Sequence, residues 1–507
     1  MQENQNTVVL RMEHIVKCYG NLIANDDVSL TLHKGEILAV IGENGAGKTT
    51  LMKVLYGMEQ AEGGHVYLHG EEIHIKSPAQ AIARGIGMVQ QHFMLFDPFT
   101  VAENVVYGKE PKKGLFFDIK EANRVTRELS EKYELHLNPQ AKIKGMPVGL
   151  RQRVEIVKVL YQNADIIIFD EPTAVLTPQE VHELLITMKR LAAAGKSIII
   201  ITHKLNEVME VADRAMVMRL GKHIADVDIK DTSIEELSFM MVGRHLVEKT
   251  IPPVAPGEDV LRIEDLCLSG VGAVPVLDHL CLHVRAGEIV GIAGVSGNGQ
   301  SELARCIFGL QKVNGGSILL NGEHIENRNV LKVRGCGAAM IPEDRYIWGS
   351  AASATIAETA IMAHHTKPEF SKRGILKIKK IRTFASGMVR DFSVKTDSIH
   401  LKTGSLSGGN AQKLIAAREI MEKTSLLIAC EPTRGVDIGA MEFIHDRLVE
   451  KRANGDAVLL ISSELTEIMK LADRIYVMYA GKINGEFERG SVQEETLGLL
   501  MVGGEQK

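Results

Sequence analysis

The chain has few of the features that mark secreted, zinc-binding or membrane-spanning proteins. Only 6 of its 507 residues are cysteine: Cys18, Cys267, Cys281, Cys306, Cys336 and Cys430. They are scattered, with no CxxC pair. That spacing argues against a disulfide framework or a zinc site and reads as a reduced set of small buried hydrophobes. No long apolar run occurs; the runs at 37–41 and 198–201 are far shorter than the roughly 18 to 20 residues that cross a bilayer. The first seven residues are polar and acidic and lack the cationic and apolar parts of a secretory signal, so the expectation is a chain that is not exported and whose membrane role is peripheral. There is no excess of positive charge either: 59 Lys and Arg against 64 Asp and Glu leave a net charge of −5. No global basic field exists to hold nucleic acid, although a local basic patch is compatible with that total. What remains is the balance of an ordinary globular protein, 24% charged and 45% hydrophobic, at a length suited to about two to four domains.

Internal repetition organises that length. Ala212-Asp213-Arg214 recurs as Ala472-Asp473-Arg474, Met241-Val242-Gly243 as Met501-Val502-Gly503, and Glu171-Pro172-Thr173 as Glu431-Pro432-Thr433, each 260 positions on. So long a period means a duplicated domain and not a solenoid, whose repeats run ~20 to 50 residues. Three prolines in 251–257 read as a linker. The expected organisation is a first domain over 1–245, a linker over 246–258 and a second domain over 259–507.

Each half reads as α/β. In the first, the apolar run 37–41 leads through a glycine-rich loop into the helical spacing of Leu51, Met52, Val54 and Leu55; 166–169 and 197–201 are further buried-strand runs. Between them, Thr177-Pro178-Gln179-Glu180 reads as a capping box opening a helix that Gly195 closes. Strands alternating with helices predict a mainly parallel sheet flanked by helices.

The loop carries the chemistry. Gly42-Glu43-Asn44-Gly45-Ala46-Gly47-Lys48-Thr49-Thr50 fits G-x-x-x-x-G-K-[ST] between a strand and a helix. Small residues let the loop curl so that successive N–H groups face an anion. Lys48 then reaches the β and γ phosphates of a nucleotide, and Thr49 offers its hydroxyl to Mg²⁺. Asp170 and Glu171 follow the apolar strand, where an α/β sheet places its chemistry. Asp170 suits a Mg²⁺ contact and Glu171 the general base. His203, after the next strand, is a candidate donor to the γ-phosphate; alone it would pass as a structural histidine.

Taken in order, Tyr19, the phosphate loop, Gln91, Asp170-Glu171 and His203 resemble the nucleotide-binding domain of ABC transporters, and Leu406-Ser407-Gly408-Gly409-Asn410 resembles that family's signature motif. The likeness spans nearly the whole chain. It implies tandem P-loop NTPase domains of ABC type, each with a helical signature subdomain. It also implies that ATP is bound with Mg²⁺, that Tyr19 stacks on adenine, that Gln91 touches Mg²⁺ and senses a membrane partner, and that the signature starts a helix aimed at the γ-phosphate.

The two halves differ in opposite senses. The second loop, from Gly294 through Gly299 to Gln300 and Ser301, has glutamine where Lys48 stands; Cys430 matches Asp170, Ser463 matches His203 and Glu343 replaces Gln91, while Glu431 remains with little around it to organise a reaction. In the first half, Pro147 and Val148 stand where Ser407 and Gly408 stand in the second. In the family, two such domains pair head to tail, each nucleotide lying between one phosphate loop and the other domain's signature. That pairing would join Lys48, Gln91, Asp170, Glu171 and His203 to Ser407, Gly408, Gly409, Asn410 and Asp437, and would leave Gln300, Cys430 and Ser463 opposite Pro147, Val148 and Thr177. The expectation is one hydrolysing site and one degenerate site.

Two fused domains without membrane spans resemble the ATPase subunits of bacterial nucleoside and monosaccharide importers. Residues 149–156 and 173–178 look most like the nucleoside branch, which works with lipoprotein receptors; ribose, galactose and xylose importers share the asymmetric plan. The implied partners are two polytopic permease subunits and, indirectly, an extracytoplasmic substrate-binding lipoprotein, with no nucleic acid. The implied place is peripheral, at the cytoplasmic face of the cell membrane. Residues 93–96 supply an apolar surface fit for a permease helix or for ordinary core packing. A soluble ribosome-associated ATPase with two fused domains is the alternative; such proteins usually carry a long charged linker and two intact sites.

Overall fold

The computed structural model describes residues 7–504 except 21, 91–92, 174–175, 177, 245–250, 271–274, 296 and 437. The chain divides into two compact units, Met1–Glu248 and Lys249–Lys507.

The first unit is built on a six-stranded sheet ordered Lys222–Asp228, Arg214–Arg219, Ile37–Gly42, Ser197–Thr202, Ile166–Asp170 and Ile86–Val89. All its pairings are parallel except that of the edge strand Lys222–Asp228. The inner strands are uninterrupted apolar runs because both of their faces are covered; Ile166–Asp170 and Ser197–Thr202 are buried throughout. The edge strand alternates exposed with half-buried residues, as one covered face requires.

A second sheet was not anticipated. Leu22–His33, Val8–Tyr19, Gly63–Leu68 and Glu71–Ile73 form a four-stranded antiparallel layer. Its inward residues Leu10, Met12, Ile15, Val28, Leu30 and Leu32 share one core with Leu51 and Leu55 of the helix Lys48–Tyr56 and with Ile168 and Ile199 of the parallel sheet. That helix is thereby clamped between the two sheets, which sets the direction of the loop before it. A third layer is helical: Val101–Val106, Ile119–Lys132 and Val148–Tyr161 pack on one another.

The second unit repeats this plan. Its six-stranded sheet runs Ala338–Ile341, Leu426–Cys430, Ala457–Ser462, Ile289–Ala293, Arg474–Tyr479 and Lys482–Glu488, and its antiparallel layer is Pro275–Arg285, Asp259–Ser269, Gly315–Leu320 and Glu323–His324. The helices Ile356–Ala360, Ile378–Asp391 and Gly408–Ile420 close over Ile356, Phe370, Ile381, Met388 and Leu414.

Of the stretch read as a linker, 251–258 holds to the second unit. The buried Arg452 donates to the Pro252 carbonyl at 2.7 Å while pairing with Asp473, and the Gly257 N–H bonds the Ala286 carbonyl at 2.8 Å. Thr177, expected to cap a helix, is outside the described residues; the helix itself runs Pro178–Ala193. All six cysteines are free. Among the described residues no helix is long and apolar enough to cross a membrane.

Candidate functional site

In the first unit the strand Ile37–Gly42 opens into the loop, and the helix Lys48–Tyr56 starts directly after Gly47. Gly47 has φ 94°, and a Cβ there would stand 2.2 Å from the Ala24 carbonyl oxygen, so only glycine fits. The buried Asn25 donates from Nδ2 to the Gly47 carbonyl at 3.1 Å and props the loop. Lys48 Nζ folds back onto the carbonyls of Gly42 at 2.7 Å and Glu43 at 3.0 Å. Thr49 Oγ1 donates to Asp170 Oδ1 at 3.0 Å. Tyr19, 43% exposed, ends its strand with its hydroxyl beside Glu59 and Thr50, the latter at the end of the phosphate loop.

Burial sets the electrostatics. It lowers the Lys48 ammonium from its ordinary value, against the pull of Glu171, Asp170 and Glu43, and it raises the Asp170 carboxyl, helped by Glu171. A buried ammonium asks for an anion and a buried carboxylate for a cation, so these residues fit a nucleotide phosphate with a divalent ion held at Thr49 and Asp170.

Glu171 has φ 47°, in the left-handed region, and its N–H bonds the Ile201 carbonyl at 3.0 Å. This kink brings its carboxylate to the end of the neighbouring strand, where His203 Nδ1 lies 3.4 Å from Oε1. The His203 contact holds the Glu171 carboxyl below its usual range despite burial, so it stands ionised at neutral pH.

The second unit keeps the scaffold and changes the groups. Gln300 Nε2 donates to the Val295 carbonyl at 3.1 Å, filling the place of Lys48 without its charge. Ser301 Oγ donates to Glu343 and not to the Asp170 counterpart Cys430, whose thiol burial pushes up. Gly294, Gln300, Ser301, Glu343, Cys430 and Glu431 line one cleft. Glu431 repeats the kink, with φ 44°, and is more organised than the sequence suggests: it accepts from the Ser463 N–H at 2.7 Å and from Ser463 Oγ at 3.2 Å.

Even so, burial pushes the Glu431 carboxyl up to about 7. The folded chain then holds a proton that the unfolded chain, with an ordinary carboxyl near 4.5, has lost, so stability falls as pH rises between those values. Glu431→Gln cannot ionise. It is expected to melt progressively higher than the parent as pH goes from about 5 to about 8, with the gap flat below that window, as thermal melting at each pH would read.

The signature residues begin a helix as expected. Ser407 caps Gly408–Ile420, its Oγ accepting from the Asn410 backbone N–H at 3.4 Å and from Asn410 Nδ2 at 2.9 Å. Pro147 precedes Val148–Tyr161 with no side-chain cap. Motif spacing did not reveal what holds the signature turn. Arg345 donates to the Gly408 carbonyl at 2.8 Å and to the Arg434 carbonyl at 2.7 Å, and Arg434 in turn pairs with Glu343 at 3.2 Å. The first half has Phe93 where the second has Arg345. In the apolar stretch there, Met94 (55%) and Phe96 (43%) are exposed while Phe93 and Leu95 are half-buried. Gln91 and Asp437 lie outside the described residues.

A phosphate-cradling loop, a buried lysine and two strand-end carboxylates define a P-loop nucleoside triphosphatase in the first unit, and the second unit repeats its fold with glutamine for the lysine and cysteine for one carboxylate. Residues 25–174 and 277–434 match the ABC transporter family, and the chain belongs to it. It is an ATP-binding ATPase whose hydrolysis is coupled to transport. Over 98% of its length it is 47% identical to the guanosine import ATP-binding protein NupO of Bacillus subtilis, 98% of which is covered. It is equally similar, 47% over 98% of the chain and 99% of the relative, to the nucleoside import ATP-binding protein NupA of Lactococcus lactis. The ribose import ATP-binding protein RbsA of Caldanaerobacter subterraneus is 37% identical over 98% of the chain and 99% of its own length.

Proposed function

We propose that this chain powers import of a nucleoside through two polytopic permease subunits, working with an extracytoplasmic substrate-binding lipoprotein from the cytoplasmic face of the membrane. One ATP site hydrolyses and the other is degenerate. The carrying observation is the segregation of parts. Lys48, Thr49, Asp170, Glu171 and His203 converge in the first domain, 1–245, and the capped Ser407-Gly408 turn lies in the second, 259–507, across a linker at 246–258. Head-to-tail closure would bring Ser407, Gly408, Gly409, Asn410 and Asp437 to the nucleotide held by Gly42–Thr50 and Tyr19. Gly294, Gly299, Gln300 and Ser301 would hold a second nucleotide without the charge stabilisation that Lys48 supplies.

At the first site Glu171, ionised, orients and deprotonates the attacking water, while Lys48 and His203 face the charge that develops on the γ-phosphate. Thr49 and Asp170, with Gln91, would hold Mg²⁺, which would supply neutralisation of phosphate charge when bound. Closure drives the permease, for which the exposed Met94 and Phe96 offer a seat.

The relatives at 47% identity support a nucleoside cargo, and the ribose relative at 37% supports a monosaccharide as the second reading. Uptake of labelled guanosine and ribose by cells expressing the whole transporter decides between them. Saturable guanosine uptake, lost with Lys48→Ala and not competed by ribose, is expected; uptake of ribose alone would move the chain to the sugar branch.

A further inference from the structure

Both units carry a small β-hairpin at the same place in the helical layer. In the first, Lys112–Lys113 pairs with Phe116–Phe117 before the helix Ile119–Lys132; in the second, Ser371–Lys372 pairs with Ile375–Leu376 before Ile378–Asp391. The second turns through Arg373 and Gly374, both with positive φ, 53° and 81°. Such a two-residue turn makes a stiff tip. Apolar side chains on these hairpins are exposed, Phe116 to 80% and Ile375 to 74%, and Ile378, which opens the helix after the second hairpin, to 51%. Isolated apolar residues are ordinary on a surface, but a repeated apolar tip on a rigid turn calls for a partner.

Charge says which partner. Between Glu369 and Asp391 the sequence has 7 Lys or Arg and no Asp or Glu, in a chain whose net charge is −5. Lys367 and Arg390, at the edges, pair with Glu422 and Asp391. Lys372, Arg373, Lys377, Lys379, Lys380 and Arg382 are exposed and in no ion pair among the described residues. In the helix, Ile381, Ala385 and Met388 turn inward and leave the cationic face outward. The first hairpin is weaker in this respect, since Glu110, Asp118 and Glu121 are interspersed with its lysines.

We propose that the second hairpin and the first turn of the following helix form a membrane-surface contact for anionic phospholipid. Ile375, Leu376 and Ile378 enter the interface, and the surrounding Lys and Arg side chains extend their charged ends to headgroup phosphates. This contact uses other residues than the proposed seat at Met94 and Phe96 and would hold the ATPase to the bilayer directly.

The test is co-sedimentation of the purified full chain with vesicles of phosphatidylcholine, with and without phosphatidylglycerol. Binding to the anionic vesicles is expected to exceed binding to the neutral ones by about tenfold, to be released by salt, and to fall to the neutral level in Lys372→Glu/Arg373→Glu and in Ile375→Ser/Leu376→Ser. Because these positions are exposed, melting temperature and nucleotide binding should match the parent, and Leu115→Ser/Phe116→Ser in the first hairpin should lose less. Equal binding to both vesicle types, or variants that bind like the parent, would overturn the proposal. So would variants that keep vesicle binding but no longer co-purify with the permease subunits, which would make the hairpin a protein dock.

Discussion

Glu171→Gln is expected to lower steady-state ATP hydrolysis by the reconstituted transporter by ~10²- to 10⁴-fold, the usual worth of a positioned general base, while Glu431→Gln leaves most of it. The two glutamates share a left-handed kink and the same place at a strand end, so geometry alone does not separate them. Their surroundings do. Glu171 is ionised, paired with His203 Nδ1 at 3.4 Å and placed with the Lys48 ammonium nearby to stabilise charge on the phosphate. Glu431 has no histidine or lysine beside it among the described residues: it is occupied by both Ser463 donors and lies near a neutral thiol and the Gln300 amide, so no cation in the places of Lys48 and His203 offsets charge developing on a phosphate. Equal losses from the two substitutions would defeat the assignment of one hydrolysing site.

Exchanging the signature turns gives the second large effect. Ser407→Pro with Gly408→Val gives the second domain the residues of the first. It is expected to cut turnover by ~10²- to 10³-fold, the scale of losing a preorganised donor at a developing anion. Nucleotide affinity at the Lys48 loop should stay within a few-fold, as fluorescent ATP binding would read. Proline removes the capping hydroxyl and a backbone N–H, and a Cβ at 408 would already stand 3.0 Å from Arg345 Nη1, so valine also disturbs the hold on the turn. The reciprocal change, Pro147→Ser with Val148→Gly, should alter turnover little, because the loop it is proposed to face has Gln300 in place of lysine. Loss of turnover from the reciprocal change, with none from the first, would reverse the proposed pairing.

Much of the fold could be read from local pattern. The inner strands 37–41, 166–169 and 197–201 are apolar runs because a doubly covered strand has no solvent face, and the phosphate loop stands out because a Cβ would be blocked at Gly42 and Gly47 and Gly45 has positive φ. The antiparallel layer was missed for a physical reason. Val8–Tyr19 is covered on one face only and is broken by register shifts near Met12, Ile15 and Lys17, which blur the period-two alternation that identifies such a strand. Asn25, Arg345 and Arg434 were missed because a lone amide or guanidinium shows its partner only once the chain has folded.

The sequence by itself determined the duplication, the order of the phosphate loop, acid pair and histidine, and the opposite degeneracy of the two halves, since these are matters of residue type and spacing along the chain. Tertiary structure alone decided that Thr49 meets Asp170, that Ser463 clasps Glu431, and that one half-buried glutamate is held low while its counterpart is raised. Such outcomes depend on desolvation and on neighbours brought together from distant segments, which no local pattern encodes.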